Sequence, residues 1–546
     1  MRLFITFSCI FLSLFEVFLL IKAESLIVET STGPVEGIRT PGKCKEANAW
    51  YGIPYAKPPV GELRYKRPVP VEPWSDILKT KKKPNACHQQ LANDDPVDPG
   101  LFTLHREHLS EDCLYLNVVS PVEREGKLPV MVWIHGGSFT SGGTRMHLYD
   151  TECLSNYGEV VTVSIGYRVA NLGFLYLGED TAPGNLALLD QQLALKWIKE
   201  NIENFGGDPD QITIHGQSAG GSSISFHLLS EGSKDLFKHA IVQSGAAYCP
   251  WSWISNERAR ENTKKFAARV GCTDTSSDEV LLKCLQEVDA QKLVESEEHP
   301  DVPEFPPTID GLFIKKDPWT VQRETDFTGR SVMIGTTSEE GDVYGFSFLM
   351  KVGVDEKNIP QNVTEQNAKD VLDVVVDALS HDIPEGTAQK VLDFYAEKTN
   401  KNYFNVVSQG AIGDPLLDCP VNDFADGLAK NGAKVYKYVF AHHAKYSPWA
   451  QRGLGAAHCE ELLFMFGEPL RKDAKLEFSL FEKLLAKRTI GYWTDFAKTG
   501  EVRRNMLQKW PLYDEKDKKY VQINLLGTSV EENFRGEYCE FFKNEL

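Results

Sequence analysis

Residues 211–230 of the chain have the sequence QITIHGQSAGGSSISFHLLS. The stretch begins with the β-branched run QITIH, continues into the pattern G-x-S-x-G at 216–220, and ends in a helical run at 221–230. A serine flanked by glycines, after a strand and before a helix, is typical of a nucleophile elbow, a turn too tight for neighbouring side chains. The pattern therefore predicts that Ser218 is a nucleophile held above a sheet, with free N–H groups of the following helix directed at the reacting oxygen.

Segments with strand and helix patterns alternate on both sides of this elbow. Short apolar or β-branched runs bounded by turn residues occur at 129–137, 160–167, 329–335 and 435–440. Apolar residues at helical spacing occur at 185–204 and 478–491, and the charged, helix-patterned stretch 256–307 is typical of an insertion. Because buried strands that alternate with helices form parallel sheets covered on both faces, the sequence predicts an α/β fold. We expect a large, mostly parallel, twisted sheet with helices on both faces and helical insertions.

The overall composition is that of an ordinary globular protein, with 42% hydrophobic and 25% charged residues among 546. No linker rich in Pro, Gly or Ser separates the periodic segments, so we predict a single domain from residue 24 to residue 546. The formal net charge of -18 repels phosphate groups. This argues against nucleic acid and anionic membrane surfaces as partners.

The first 23 residues have the pattern of a secretory signal peptide. Arg2 precedes an apolar run at 3–21, and we expect cleavage near Ala23. A retained signal anchor is the alternative, because the run nearly spans a bilayer, although Glu16 interrupts it. No later stretch is apolar enough to cross a membrane, so the mature protein is expected in an oxidising lumen or outside the cell, where disulfides persist.

A serine hydroxyl is a weak nucleophile unless a base takes its proton and an acid orients that base. In chains with this elbow the order is serine, then Asp or Glu, then His. After Ser218, the loop TTSEEG carries Glu339 and Glu340, and the small-residue loop GAAHCEELLFMFG carries His458. Composition alone does not choose among the 13 histidines.

Longer motifs resemble those of the type-B carboxylesterases and cholinesterases. They are FGGDP at 205–209, which leads into the elbow, and SEDCLYLN at 110–117. The likeness runs from about Val28 to Cys539, nearly the whole mature chain. It implies the α/β-hydrolase fold and a serine carboxylesterase, which hydrolyses carboxylic esters to an alcohol and a carboxylate through an acyl-enzyme intermediate.

The resemblance also implies a role for each residue of a catalytic triad. Ser218 matches the nucleophile, and His458 matches the general base. Glu340 matches the orienting acid better than Glu339 does, because the family's acid directly precedes a glycine. Ser244, in the triplet QSG, resembles a supporting serine that the family places near the acid and the base.

Acyl transfer needs preorganised donors for the oxyanion. The resemblance places them at the backbone N–H groups of Gly137, Ser138 and Ala219. The family usually has three glycines after the position of His135, whereas this chain has Gly-Gly-Ser. A serine keeps its N–H, but its Cβ takes space and restricts φ, so we expect an effect on rate or on acyl size.

The family's cysteine pattern implies three intrachain disulfides, Cys87–Cys113, Cys272–Cys284 and Cys419–Cys539. It assigns no partner to Cys44, Cys153, Cys249 or Cys459. Cys459 follows His458 directly, but the elbow carries serine, so we do not expect a thiol nucleophile. No spacing of His and Cys indicates a metal site, and nothing in the sequence calls for a cofactor.

The sequence favours a general carboxylesterase acting on small-molecule esters. Cholinesterases hold a quaternary ammonium group against a tryptophan in the loop closed by the first disulfide, and here that loop has Phe102 as its one aromatic residue. Gln217 is neutral where most of the family has Glu. Trp251, in AYCPW, resembles a cholinesterase residue of the acyl pocket and keeps a cholinesterase as the alternative.

Two further readings remain open. A glutamine at the position of Gln217 also occurs in juvenile-hormone-esterase-like members of the family, which keeps that kind of esterase as an alternative. The same fold also serves as an inactive adhesion ectodomain in neuroligin-like proteins, but those chains typically lose the serine that this chain keeps.

Two short motifs concern processing and destination. Asn362 begins the only N-x-S/T triplet and is the predicted glycosylation site. The last four residues, Lys543, Asn544, Glu545 and Leu546, are a close variant of the K-D-E-L address read by a retrieval receptor. We therefore expect retention in the lumen of the endoplasmic reticulum, with secretion as the alternative.

Overall fold

The computed structural model describes residues 26–91, 98, 100–298, 303–379, 384–503 and 510–545. The predicted signal peptide and Leu546 lie outside the described residues.

The strands follow one another along the chain as β1 (Ile27–Val28), β2 (Val35–Glu36), β3 (Ile38–Thr40), β4 (Ala47–Pro54), β5 (Leu78–Lys79), β6 (Tyr115–Pro121), β7 (Leu128–Ile134), β8 (Val161–Ile165), β9 (Tyr176–Gly178), β10 (Ala182–Pro183), β11 (Gly207–Gln217), β12 (His239–Gln243), β13 (Ser331–Thr337), β14 (Lys434–Phe440), β15 (Lys519–Asn524) and β16 (Gly527–Glu532). In the described residues, eleven of them form one sheet in the order β16-β15-β14-β13-β12-β11-β7-β8-β6-β4-β3. Seven neighbouring strands of this sheet pair in parallel: β15, β14, β13, β12, β11, β7 and β8. The outer strands, β16 at one edge and β6, β4 and β3 at the other, pair antiparallel.

The α-helices are α1 (Glu152–Gly158), α2 (Ala170–Phe174), α3 (Leu186–Asn201), α4 (Ala219–Leu229), α5 (Asn256–Val270), α6 (Asp278–Glu287), α7 (Ala290–Glu295), α8 (Pro318–Glu324), α9 (Asp342–Lys351), α10 (Glu365–Leu379), α11 (Thr387–Lys398), α12 (Tyr403–Asn405), α13 (Cys419–Lys430), α14 (Pro448–Gln451), α15 (Glu460–Met465), α16 (Leu480–Thr499) and α17 (Gly536–Glu545). A π-helix, Val406–Asp418, connects α12 to α13.

The central strand β7 explains why the sheet is covered on both faces. Successive side chains of a strand point to opposite faces, yet Val130 to Ile134 are all fully buried. Val130 and Val132 pack into one core with α3 and α4, whereas Met131 and Trp133 pack into a second core with α16. A strand that is apolar at every position therefore requires helices on both sides, which is the α/β arrangement predicted from the sequence.

The predicted elements are present, with boundaries shifted by a few residues. The helix expected at 185–204 is α3 followed by a short 3₁₀ turn, Ile202–Phe205. The insertion expected at 256–307 contains α5, α6 and α7. The helix expected at 478–491 begins after Ser479, which forms a capping box with Glu482. It continues to Thr499, because Gly500 ends it with φ +70°.

The structure contains the three disulfides that the resemblance implies, and a fourth between Cys44 and Cys153. The fourth bond ties the segment before β4 to α1. Four unassigned cysteines allow several pairings, and their spacing does not favour one of them. Cys249 and Cys459 remain as thiols.

Candidate active site

Ser218 occupies the sharp turn between β11 and α4, with φ +59° and ψ -125°. Its N–H donates to the carbonyl oxygen of Gln243 at 2.8 Å, which anchors the turn to β12. A Cβ on Gly220 would lie 2.2 Å from the carbonyl oxygen of Ile134 in β7, and one on Gly216 would lie 2.7 Å from the backbone of Gly220. The flanking glycines are therefore required by the close approach of the turn to β7.

His458 and Glu340 meet although they lie on different loops. The Nδ1 atom of His458 is 2.5 Å from Oε2 of Glu340. Glu340 follows β13 and is fully buried, and His458 precedes α15 and is 4% exposed. A carboxylate held this close fixes the orientation of the imidazole ring and stabilises its protonated form.

The second carboxylate of this loop, Glu339, has a different position. Its N–H donates to the carbonyl oxygen of Ala456 at 3.1 Å, and its Oε2 accepts the N–H of Ala456 at 2.9 Å. Glu339 thus holds the loop that carries His458, whereas Glu340 contacts the ring itself. The geometry therefore distinguishes the two neighbouring carboxylates by what each one contacts.

Two further donors hold the Glu340 carboxylate. Its Oε1 accepts the hydroxyl of Ser244 at 2.5 Å and the N–H of Thr337 at 2.7 Å. Both donors stabilise the ionised carboxylate and leave Oε2 to face His458. Ser244 therefore lies beside the carboxylate of Glu340, the residue that the resemblance implies as the acid.

The surroundings of His458 change its titration. Burial alone would lower the pKa of His458, but its neighbours Tyr344, Cys459 and Glu340 raise it well above its ordinary value. His135 differs, because burial lowers its pKa to about 4 despite a hydrogen bond to the carbonyl oxygen of Gly136. His135 also stacks on Tyr167, with ring centroids 4.1 Å apart, so its contacts are those of a structural residue.

The three predicted oxyanion donors have no competing acceptor. Among the described residues, the N–H groups of Gly137, Ser138 and Ala219 donate to no other protein atom. Gly137 has φ +118°, and the non-glycine residues Ser138 and Phe139 follow with φ +53° and +60°. The serine departure therefore occupies the left-handed region, which costs a non-glycine residue about 1 kcal/mol or more.

The nucleophile and the base are close, but they do not contact each other in this structure. Nε2 of His458 is 2.9 Å from Nε2 of Gln217, the residue before Ser218. The Ser218 hydroxyl has no hydrogen-bond partner within the described part of the chain. Both Ser218 and His458 line one cavity of about 310 Å³, within the range of small-molecule sites.

The cavity wall contains aromatic residues that the sequence analysis did not identify as functional. They come from distant segments and comprise Tyr149, Tyr344 and Trp449, together with Phe102. The rings of Phe102 and Trp449 are 6.0 Å apart, and the ring of Tyr344 is 5.3 Å from that of His458. No local pattern in the sequence marks Trp449, because only the fold brings it beside the loop of Phe102.

Trp251 lies outside this set. Its Nε1 donates to the carbonyl oxygen of Leu416 at 2.9 Å, and its ring is 6.1 Å from that of Phe139. It is not among the residues that line the cavity.

The two free thiols of the described residues lie in different places. Cys459 lines the cavity, whereas Cys249 is buried, and burial raises its pKa to about 12.

The processing motifs occupy distinct environments. Asn362 is exposed, with its Nδ2 3.4 Å from Oδ1 of Asn358. Lys543 lies in α17, and its Nζ forms an ion pair with Asp423 at 2.6 Å. The ring of Phe541 stacks on Phe394 at 4.1 Å, so the last described turn is docked on the protein.

Within the described ranges, no group of His, Cys, Asp and Glu side chains is arranged to hold a metal ion. Among the helices of the same residues, none combines the length and apolar character needed to cross a bilayer.

Comparison with known proteins gives two consistent results. A model of the carboxylesterase family matches residues 24–542. The acetylcholinesterase of Bungarus fasciatus is 34% identical over 543 residues, which cover 96% of this chain and 87% of that protein. The acetylcholinesterase of Leptinotarsa decemlineata is 33% identical over 553 residues, covering 96% of this chain and 86% of that protein.

Proposed function

The chain belongs to the carboxylesterase family and is a carboxylic ester hydrolase, and we propose that it works through an acyl-enzyme formed on Ser218. The observation that carries this proposal is the convergence of three residues. Glu340 contacts His458 at 2.5 Å, and His458 shares a cavity with Ser218 at the elbow.

In the proposed mechanism, Ser218 Oγ attacks the ester carbonyl carbon and its proton passes to Nε2 of His458. Glu340 stabilises the imidazolium from Nδ1. The imidazolium then protonates the leaving alkoxide, and the alcohol departs. Water then attacks the carbonyl carbon of the acyl-enzyme while His458 takes its proton. The carboxylate is released, and His458 returns a proton to Ser218 Oγ.

The oxyanion formed in each addition step accepts hydrogen bonds from the N–H groups of Gly137, Ser138 and Ala219. Support comes from their lack of protein acceptors among the described residues. Ala219 also begins α4, so its N–H belongs to the positive end of a helix dipole. Each such donor contributes on the order of 10²–10³ in kcat.

The test is covalent labelling with a fluorophosphonate, combined with hydrolysis of 4-nitrophenyl acetate. Ser218→Ala and His458→Ala should each lose at least about 10⁴-fold in kcat, because nucleophile and base act as a unit. Ser223→Ala is the matched control, since this buried serine of α4 donates to the helix carbonyl of Ala219 and accepts from the side-chain amide of Gln191, away from His458 and Glu340. Full activity of Ser218→Ala would overturn the assignment.

For the substrate, we propose neutral esters with small or medium acyl groups. Gln217 carries no charge beside the nucleophile, and the loop from Cys87 to Cys113 contains no tryptophan. A cholinesterase is the second candidate, and one observation favours it: Trp449 presents an indole ring in the same cavity. An indole face attracts a quaternary ammonium group.

Acetylcholine and its neutral isostere 3,3-dimethylbutyl acetate separate these two candidates. Comparable kcat/KM values for the two esters would support the general carboxylesterase. A strong preference for acetylcholine that Trp449→Ala abolishes would establish the second candidate instead.

The remaining assignments concern maturation. We propose a signal peptide at 1–23, a single domain at 24–546, one N-glycan on Asn362 and retention in the endoplasmic reticulum through the residues at 543–546. The exposure of Asn362 supports the glycan. The K-N-E-L sequence supports retention, by a retrieval receptor as partner.

A further inference from the structure

The side-chain amide of Gln217 occupies the nitrogen of His458 that must receive the proton of Ser218. The two Nε2 atoms are 2.9 Å apart, and Gln217 is 1% exposed. Resting on the proposed function, we propose that Gln217 is a positioning residue that keeps the proton off Nε2 of His458, and that Cys459 orients the Gln217 amide.

The chemistry of the contact determines the tautomer of the ring. An amide nitrogen donates and does not accept, so the Gln217 contact is a hydrogen bond only when Nε2 of His458 presents its lone pair. The ring proton is then on Nδ1, where it donates to Glu340 at 2.5 Å. This tautomer is the one that can act as a general base toward Ser218, once the Ser218 hydroxyl replaces the Gln217 amide at Nε2.

One neighbour, Cys459, holds the amide in this orientation, and another, Gly136, leaves room for it. The Sγ of Cys459 lies 3.3 Å from Oε1 of Gln217, and burial raises the pKa of this thiol, so it carries the proton that it donates. Gly136 leaves room for the amide, because a Cβ at that position would lie 3.3 Å from the same Oε1 and 2.5 Å from the backbone oxygen of Gln217. With the oxygen held by the thiol, the NH₂ group faces His458.

Protonation of His458 reverses what the ring needs. An imidazolium presents an N–H at both nitrogens, so the NH₂ group of Gln217 then opposes it. The amide must turn over to offer Oε1 to Nε2, and the hydrogen bond from Cys459 to Oε1 resists this turn. Through Gln217 the thiol therefore favours the neutral base, whereas its direct interaction with His458, like that of Tyr344, raises the pKa of the ring.

The experiment measures kcat/KM of the full chain for 4-nitrophenyl acetate between pH 5 and 9. This profile reports the titration of the free enzyme. Titration with a fluorophosphonate gives the concentration of competent enzyme, so misfolded protein does not enter the rates. Cys459→Ala removes both the direct interaction with His458 and the hydrogen bond to Gln217, so its midpoint shift is measured with and without the Gln217 amide. Cys459→Ser keeps a donor to Oε1 and should stay near the original midpoint.

A double-mutant cycle tests whether Cys459 acts through Gln217. In the Gln217→Leu background there is no amide to orient and only the direct interaction with His458 is lost, so Cys459→Ala should place the midpoint shift about half a pH unit lower than it does with Gln217 present. Gln217→Glu supplies an anionic acceptor to Nε2 and should raise the midpoint by about one unit or more. A Cys459→Ala shift that is equal in both backgrounds, or absent from both, would overturn the proposal.

The two levels of inference fail differently. If Ser218→Ala remains active, the proposed acyl-enzyme mechanism fails. If Ser218→Ala is inactive but Gln217→Glu titrates like the unmodified enzyme, only the positioning role of Gln217 fails.

Discussion

The hydroxyl of Ser244 lies 2.5 Å from Oε1 of Glu340, the carboxylate oxygen that His458 does not contact. Ser244 is fully buried and has φ +50°, an unusual conformation for a serine. Its backbone N–H donates to the carbonyl oxygen of Gly335 at 2.8 Å, which ties it to β13, the strand that leads to Glu340. The acid is thus oriented by contacts on both of its oxygens.

Ser244→Ala should reduce kcat by about 10- to 100-fold, the usual cost of losing a hydrogen bond to an orienting carboxylate. KM should change little, because Ser244 does not line the cavity. Ser222→Ala is a matched control, since this buried hydroxyl bonds the carbonyl oxygen of Ala246 and no carboxylate. Equal effects of the two substitutions on kcat would show that the loss comes from removing a buried hydroxyl and not from losing the contact with Glu340.

The pH dependence of hydrolysis follows from the raised pKa of His458. The base works only when neutral, so kcat/KM should fall as the pH drops through this pKa. We expect the midpoint above the ordinary histidine value of about 6.5. Glu340→Gln removes the charge beside Nδ1, so it should lower the midpoint and reduce kcat by about 10³–10⁴. A rate that stays constant down to pH 5 would contradict the assignment of His458 as the base.

Ser138 does not itself line the cavity but follows Gly137, which does, so Ser138→Gly should change the acyl preference through this backbone rather than abolish activity. The N–H proposed to contact the oxyanion remains, and glycine adopts φ +53° without strain. We expect kcat/KM for an acetyl ester to stay within about threefold and the ratio of butyryl to acetyl ester to rise. Ser138→Ala retains the Cβ and should keep the original ratio. The same rise in both variants would mean that the hydroxyl, not the Cβ, limits acyl size.

The Cys44–Cys153 disulfide should contribute to stability and not to catalysis. It joins residues 109 apart in sequence, and neither cysteine lines the cavity. Replacing both with Ser should lower the free energy of unfolding by about 2–4 kcal/mol, measured by denaturant unfolding. The kcat at 25 °C should remain that of the unmodified enzyme. A large loss of kcat with unchanged stability would be the opposite of this expectation.

Retention can be tested by comparing culture medium with cell lysate. The full chain should remain in the lysate, and a chain lacking 543–546 should reach the medium. Asp423→Asn weakens the ion pair that holds Lys543 and should leave retention at least as efficient. Equal secretion of the full and shortened chains would show that the terminal residues are not an address.

Much of the architecture could be predicted because it is encoded by neighbouring residues. The elbow at 216–220 and the fully apolar strand β7 can each be recognised from fewer than ten consecutive residues. Strand runs, helix periodicity and tight-turn glycines have sequence patterns because the forces behind them act within one element. The roles of Glu340 and His458 came from the likeness to a family, since their separation of 118 positions carries no local signal.

Tertiary packing decided the features that link distant segments. Gln217 and His458 are 241 positions apart. The amide reaches the ring because β11 and β14 are strands of the same parallel array, so the end of β11 and the loops that follow β14 lie at the same edge of the sheet. The pairing of Cys44 with Cys153 and the place of Trp449 beside Phe102 arise in the same way. Local sequence determines which element forms, because its interactions are short in sequence, whereas the contacts between side chains depend on how all the elements pack together around their shared cores.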